Sequence, residues 1–237
     1  MRVVLQHSTV DVIVPALNEA STIGLVIDEI PVSTLQSLGF LTRIVVIDNG
    51  SSDRTAQAAL DRGAVVISEQ QRGKGYAMRR GFSETQADYV VMLDGDATYP
   101  GSHIPEMLEV LQQGCHVVVG SRLKGTREPG AISRFNIFGN RMLTWFACLL
   151  YGRKTSDLCT GFWAFRGDVI PTLDLNSHGF TFEAELFSEV VRHHLRFAEV
   201  PIHYRRRPTP TKLQSLRDGY RIARLLLQRR FQRDERR

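Results

Sequence analysis

Apolar residues in the first half of this chain fall in short, dense runs separated by polar, turn-forming segments. Val10-Asp-Val-Ile-Val-Pro15, Arg43-Ile-Val-Val-Ile-Asp48, Val65-Val-Ile67, Tyr89-Val-Val-Met-Leu-Asp94 and Cys115-His-Val-Val-Val-Gly120 read as strands apolar on both faces. Helical signals lie between them. One helix runs from the Pro15 to Glu19 loop towards Pro31, and one spans Thr55 to Leu60 with Ser52 or Asp53 as its cap. Another is opened by Arg72-Gly-Lys-Gly75 and reaches about Thr85, and a fourth lies around Pro105 to Gln113. This alternation predicts an α/β fold, a mostly parallel central sheet flanked by helices with right-handed crossovers. Several strand and helix units precede the strand ending at Asp94, which places that strand near the centre.

Beyond Gly125 the pattern changes. Phe135 to Tyr151 carries apolar residues at helical spacing beside Arg134, Arg141, Arg153 and Lys154, which suits a basic amphipathic helix at a membrane surface. A helix of that pattern also commonly packs on a sheet. Phe162 to Phe165 is strand-like, Phe182 to His194 helical, and Ala198 to Tyr204 a late strand. A basic, proline-broken loop, Arg205 to Lys212, leads into a final helix and an arginine-rich tail, so the C-terminal region is helical and basic. No repeat or low-complexity linker marks a boundary, and residues 1–237 read as one domain.

Composition narrows the partners. The chain is 43% hydrophobic and 23% charged, a globular balance, and its net charge of +5 favours anionic ligands. Cys115, Cys148 and Cys159 are odd in number and widely spaced, which suggests neither a disulfide framework nor a zinc site and fits a reducing compartment. The first residues lack the apolar core of a signal peptide, and Met142 to Leu150 falls short of the roughly 20 residues that span a bilayer. The expected protein is soluble or peripheral. Nucleic acid is not an expected partner, because the terminal arginines are not interleaved with stacking aromatics.

The candidate chemistry centres on Asp94-Gly-Asp96. Two acids closing a buried strand repel unless a cation or proton lies between them, and in open α/β sheets the strand's C-terminal end faces the ligand crevice. Three readings compete. A haloacid-dehalogenase-type phosphatase matches Asp94, Asp96 and Thr98, but no later strand ends in the paired acids that its magnesium needs. An EF-hand loop fails because Tyr99 and Pro105 stand where Gly and Glu are required. A nucleotide-sugar transferase remains, in which Mg²⁺ or Mn²⁺ on the acids neutralises a departing diphosphate, and Glu19 and Asp48 sit at neighbouring strand ends.

Pro15-Ala-Leu-Asn-Glu19, Val46-Ile-Asp-Asn-Gly-Ser-Ser-Asp-Arg-Thr55, Arg72-Gly-Lys-Gly75, Leu93-Asp-Gly-Asp96 and Gly120-Ser-Arg122 follow one another as do the motifs of inverting family 2 glycosyltransferases of the GT-A fold, which the chain resembles. Asp157-Leu-Cys-Thr-Gly-Phe162, Gly179-Phe-Thr-Phe-Glu-Ala-Glu185, Glu199-Val-Pro-Ile202 and Thr211-Lys-Leu213 are similar to dolichyl-phosphate and polyprenyl-phosphate mannose and glucose synthases. The resemblance extends to about Leu227. It implies a nucleotide-sugar-binding half over about 8–124 and an acceptor-binding, membrane-facing half over about 125–237. Pro15, Leu17, Glu19 and Asp48 would line the nucleotide pocket, with Arg72, Gly73 and Lys74 against nucleotide or sugar. Asp94 would contact sugar or ribose hydroxyls, and Asp96 would hold the metal with Asp94 beside it. Arg122, Arg134, Arg206 and Lys212 would bind the acceptor phosphate and donor diphosphate, and Glu185 would sit in the sugar and acceptor region.

The implied reaction moves a hexose from a nucleotide diphosphate sugar to a polyprenyl phosphate at the cytoplasmic membrane face. The Arg72-Gly-Lys-Gly75 turn is closer to glucosyl-type relatives and tilts the donor towards UDP-glucose over GDP-mannose. A non-lipid hydroxyl acceptor would instead require a carboxylate base, for which Glu183 and Glu185 are available. A basic lipid- or nucleic-acid-binding protein on the same fold is the non-enzymatic alternative. Two departures stand out: Thr98 replaces a glutamine that some relatives carry at the metal, and the C-terminal membrane spans of part of the family are not read here.

Overall fold

The computed structural model describes residues 7–209 and 215–232. Its strands are β1 (Ser8–Ala16), β2 (Phe40–Asp48), β3 (Val65–Ser68), β4 (Tyr89–Met92), β5 (Val117–Ser121), β6 (Trp163–Arg166) and β7 (Phe197–Pro201). The helices are α1 (Ile23–Asp28), α2 (Val32–Ser37), α3 (Thr55–Leu60), α4 (Lys74–Ser83), α5 (Ile104–Gln112), α6 (Arg134–Tyr151), α7 (Phe182–Arg192) and α8 (Ser215–Phe231). The strands form one seven-stranded sheet in the order β3-β2-β1-β4-β6-β5-β7. The strand leading to Asp94 is thus the middle one, as its place in the chain predicts.

Period-two alternation divides each central strand between two cores. Val10, Val12 and Val14 of β1, with Val91 and Leu93, pack in the first core with residues of α1, α2 and α5. Ile13, Val90 and Met92 join Met78 of α4, Phe187 of α7 and Leu226 of α8 in the second. Burying each such side chain contributes about 1.5–3 kcal/mol, so both faces of the sheet are tied to helices.

Two local departures from the expected pattern have physical causes. The helix running towards Pro31 ends at Asp28, and a separate α2 begins at Val32, with Pro31 between them. Proline has no amide to donate and disfavours helix at the residue before it. The second departure is β6, which pairs antiparallel with both β4 and β5, while every other pair is parallel. After α6 the chain re-enters the sheet from its C-terminal edge, so β6 must run backwards. That reversal carries residues 155–161 past the strand ends where the acids lie.

Candidate active site

Strand order reverses between β1 and β4: β2 and β3 extend to one side and β4 lies on the other. In open α/β sheets, ligands bind at the carboxyl ends of strands at such a switch point. Glu19 follows β1, Asp48 ends β2, Asp94 and Asp96 follow β4, and Arg122 follows β5. The parallel direction and the order of these strands bring the groups to one edge.

The turn at Asp96 is held by its own residues. Ala97 adopts φ 61°, a left-handed conformation uncommon outside glycine. This lets Thr98 fold back, its amide donating to Asp96 Oδ1 at 3.2 Å and its hydroxyl at 2.6 Å. Asp96 Oδ2 is left facing Arg207, whose Nη1 is 3.4 Å away. Burial, with the neighbouring charge of Asp94, raises the Asp96 pKa, while the Thr98 hydroxyl and Arg207 oppose the rise. Arg207 also bonds Glu19 through Nη2 at 2.6 Å. One guanidinium therefore stands between two acids from different strands.

Asp94 has a second cation. Lys74 Nζ lies 2.5 Å from Asp94 Oδ1 and 2.5 Å from Glu183 Oε1. Burial works against the lysine charge, but the two carboxylates outweigh it and raise the pKa. Burial, against the pull of Lys74, raises the Glu183 pKa. The wall behind Asp94 is Gly161, where a Cβ would come within 2.2 Å of Asp94 Oδ2, so no larger residue fits without moving the acid. Gly161 in turn donates its amide to the buried Tyr99 hydroxyl at 2.7 Å.

The other expected residues are distributed unevenly. Pro15 and Leu17 border the β1 end, and Asp48 accepts the Ser51 amide at 3.3 Å. Arg72 is exposed, and the Gly73 amide donates to Asn49 Oδ1 at 2.7 Å. Arg122 is bound to the buried Asp157 by two side-chain bonds of 2.8 and 2.7 Å, which occupies its fork. Arg134, at the start of α6, is exposed. The exposed Arg206 donates its amide to Glu128 Oε2, so it is Arg207 that reaches Asp96. Glu185 is buried away from the Lys74 and Asp94 contacts and accepts the amides of Asn176 and Ser177 at 3.0 and 2.8 Å. Lys212 and the Thr211-Lys-Leu213 motif lie outside the described residues. Asp53 performs the expected capping one residue earlier than the assigned cap, Arg54, by accepting the Thr55 amide at 3.0 Å.

Arg207 and Asp157 are the site residues that the sequence reading left without a role, and Glu183 was considered only as a base for a hydroxyl acceptor. Each lies within a motif noted above: Arg207 is next to Arg206 and Glu183 is two positions from Glu185, whereas no residue of Asp157-Leu-Cys-Thr-Gly-Phe162 carries an assigned task. Only the fold decides which member of Arg205-Arg-Arg207 or Glu183-Ala-Glu185 turns inward.

A divalent metal fits this edge by donor chemistry. Asp94 and Asp96 supply hard oxygens, and a cationic guanidinium already stands at Asp96. Among the described residues no cluster of three or more His, Cys, Asp or Glu could cage a metal. Mg²⁺-type ions suit that arrangement, because they usually take one or two carboxylates and complete their shell with substrate phosphates and water.

The family model for glycosyl transferase family 2 matches residues 11–173. The chain belongs to that family. This glycosyltransferase family 2 chain is 37% identical over 211 residues to glycosyltransferase AglJ of Haloferax volcanii, covering 88% of this chain and 67% of that relative. It is 31% identical over 216 residues to the dolichyl-phosphate hexose transferase of the same organism, covering 91% of each. The glucosyl-3-phosphoglycerate synthase structure from Mycobacterium tuberculosis with Mn²⁺, UDP and glucosyl-3-phosphoglycerate superimposes with a TM-score of 0.74 at 27% identity, covering 94% of this chain and 80% of that one. The fold is GT-A, as the sequence motifs imply.

Proposed function

We propose that this family 2 chain transfers a hexose from a nucleotide diphosphate sugar, UDP-glucose or GDP-mannose, to a polyprenyl phosphate, with inversion at the anomeric carbon. The observation that carries the reading is the pairing of Asp94 and Asp96 with Lys74 and Arg207 at the sheet's switch point. Acids that hold a metal and cations that meet phosphate are both needed there, and neither class alone would suffice. The synthase structure with Mn²⁺ and UDP supports the donor, and the dolichyl-phosphate hexose transferase supports the acceptor.

Bound Mg²⁺ or Mn²⁺ would be held by Asp96, with Asp94 beside it, and would supply Lewis-acid stabilisation of the diphosphate. The remaining work belongs to the chain. Lys74 is placed to exchange its contacts with Asp94 and Glu183 for donor oxygens. Arg207 would leave Glu19 and Asp96 for phosphate, with the exposed Arg134 and Arg206 available to the acceptor. A lipid monophosphate, with a second pKa of about 6, is already an anionic nucleophile near neutral pH, so no general base is required. Arg122 is committed to Asp157 and shapes the wall instead of binding phosphate.

The lipid acceptor is further supported by the surface. Phe135, Phe138, Met142, Trp145 and Leu149 form an exposed stripe at alternating three- and four-residue spacing on α6, each between 49% and 69% exposed. Exposed Arg134 and Arg141 share that helix, and α8 packs beside it through Tyr151 Oη donating to the Leu226 carbonyl. Leu216, Tyr220 and Phe231 of α8 are exposed as well. Among the described residues no helix is long and apolar enough to cross a membrane. A basic, apolar face of this kind suits an anionic bilayer surface. The double variant Phe138→Asp with Trp145→Asp is expected to lose about tenfold in co-sedimentation with phosphatidylglycerol vesicles, while nucleotide binding is unchanged.

The synthase complex with glucosyl-3-phosphoglycerate supports a second reading, a soluble hydroxyl acceptor, for which Glu183 is available as base. Radiolabelled hexose from UDP-glucose or GDP-mannose separates the two. Label is expected in the organic phase only when polyprenyl phosphate is supplied. Undiminished aqueous product without the lipid would assign the soluble acceptor.

A further inference from the structure

Glu185 touches none of the groups around Asp94 and Asp96 by any contact described above, yet it is 1% exposed and heavily engaged. It lies two residues beyond Glu183 on α7. Its Oε1 and Oε2 accept the backbone amides of Asn176 and Ser177, and its charge is met by Arg229 of α8, whose Nη2 bonds Oε1. Arg229 is itself buried, with Glu189 Oε1 at 3.6 Å and Asp174 Oδ2 at 3.5 Å. Two carboxylates of α7 and one arginine of α8 thus fix the segment from Asp174 to Ser177, whose first amide donates to Glu189 Oε2 at 2.9 Å.

The other side of that segment is pressed against the turn that carries Lys74. The His178 carbonyl accepts the Gly75 amide at 3.1 Å. A Cβ on Gly73 would lie 2.0 Å from the His178 oxygen, and one on Gly75 2.0 Å from the Ser177 oxygen. The His178 ring stacks on Tyr76, with centroids 4.5 Å apart and planes 4° from parallel. Backbone this close to backbone has no slack, so a displacement of residues 176–178 displaces Lys74.

From these contacts we infer that Glu185, held by Arg229, is a positioning residue for the donor site, acting on Lys74 through the 176–178 clamp. Glu183 binds the lysine directly, and Glu185 fixes the turn from which it projects. Two neighbouring acids of α7 therefore serve one cation by different routes. Arg229 belongs to the helix that also carries exposed Tyr220 and Phe231, which links the proposed membrane face to the clamp. The inference rests on the reading of Lys74 as a donor contact.

A double-mutant cycle tests it. Dissociation constants for UDP and GDP with Mn²⁺ are measured by calorimetry for wild type, Glu185→Gln, Lys74→Met and the double variant, each checked for folding by circular dichroism. Glu185→Gln keeps the side-chain size but replaces one acceptor with a donor that faces a backbone amide. It is expected to weaken the preferred nucleotide roughly fivefold in the native background and less than about twofold in the Lys74→Met background. Arg229→Gln is expected to show the same dependence on Lys74, and carries the test if Glu185→Gln does not fold, while Arg229→Lys retains most of the affinity. Equal losses in both backgrounds, or no loss from either Glu185→Gln or Arg229→Gln, overturn the inference alone. Unchanged affinity in Lys74→Met by itself removes the donor role of Lys74 and the inference with it.

Discussion

Asp96→Ala is expected to lower turnover by on the order of a thousandfold while leaving the fold intact. The effect is large because the group stabilises charge that develops as the diphosphate leaves, and removing one preorganised stabiliser of that kind costs about 3–4 kcal/mol. Asp96 bonds within its own turn, to Thr98, and its outer oxygen faces only the guanidinium of Arg207 in the described contacts. Its loss therefore removes little packing. Asp96→Asn is expected to fall nearly as far, since the amide keeps the shape but offers a poor metal ligand. Chelation with EDTA should reproduce the loss in wild type, and excess Mn²⁺ should restore wild type but not the variants. Steady-state turnover with and without metal is the check.

The second large effect concerns stability. Asp157 is buried and binds Arg122 by two side-chain bonds and one backbone bond, while Asn140 Nδ2 also donates to its Oδ1 at 2.6 Å. Asp157→Asn leaves the Arg122 guanidinium buried without its counter-ion, which costs about 3–5 kcal/mol. At about 2–4 °C per kcal/mol, melting should fall by roughly 6–20 °C. The pH dependence has a definite sign. Burial raises the Asp157 pKa, but the Arg122 charge and its hydrogen bonds prevail and hold it below the usual 3.8. A depressed folded pKa means that the carboxylate stabilises the fold fully above the unfolded value, near 3.8, and loses that contribution as pH falls through the folded value. Wild type and Asp157→Asn should therefore differ most at neutral pH and converge below pH 3.8, read by thermal unfolding across the acid range. A variant with unchanged melting and a raised KM would return Arg122 to phosphate binding.

The elements legible in the sequence are those in which local pattern and tertiary burial agree. The both-face apolar runs at Val10 to Pro15, Arg43 to Asp48 and Tyr89 to Asp94 form β1, β2 and β4, which lie side by side in the order β2-β1-β4, and that adjacency places Glu19, Asp48 and Asp94 on one edge. Direction was harder to read. Nothing in Phe162-Trp-Ala-Phe165 shows that it runs antiparallel, because buried strands look the same from either end. Side-chain choice inside a motif was equally hidden. Arg205, Arg206 and Arg207 are alike as residues, but Arg205 meets Glu29, Arg206 faces outward, and Arg207 meets Asp96. Likewise Glu183 and Glu185 share a helical turn, and only the packing of α7 sends one to Lys74 and the other to the 176–177 amides.

Those assignments also explain why the acids alone were ambiguous. Two carboxylates after a strand are compatible with a phosphatase, a capped turn or a metal-diphosphate site. Lys74 and Arg207 favour the proposed metal-diphosphate site, because they place exchangeable cations beside the two acids.

The most direct measurement is the product itself. Purified protein is incubated with UDP-glucose or GDP-mannose, Mn²⁺ and a short polyprenyl phosphate, and the lipid is analysed by mass spectrometry and proton NMR. The account predicts a polyprenyl phosphate heavier by one hexose, its anomeric configuration opposite to that of the donor, formed one-for-one with released nucleotide diphosphate and absent in Asp96→Ala. Nucleotide diphosphate release with the lipid unaltered, or a product that retains the donor configuration, would contradict it.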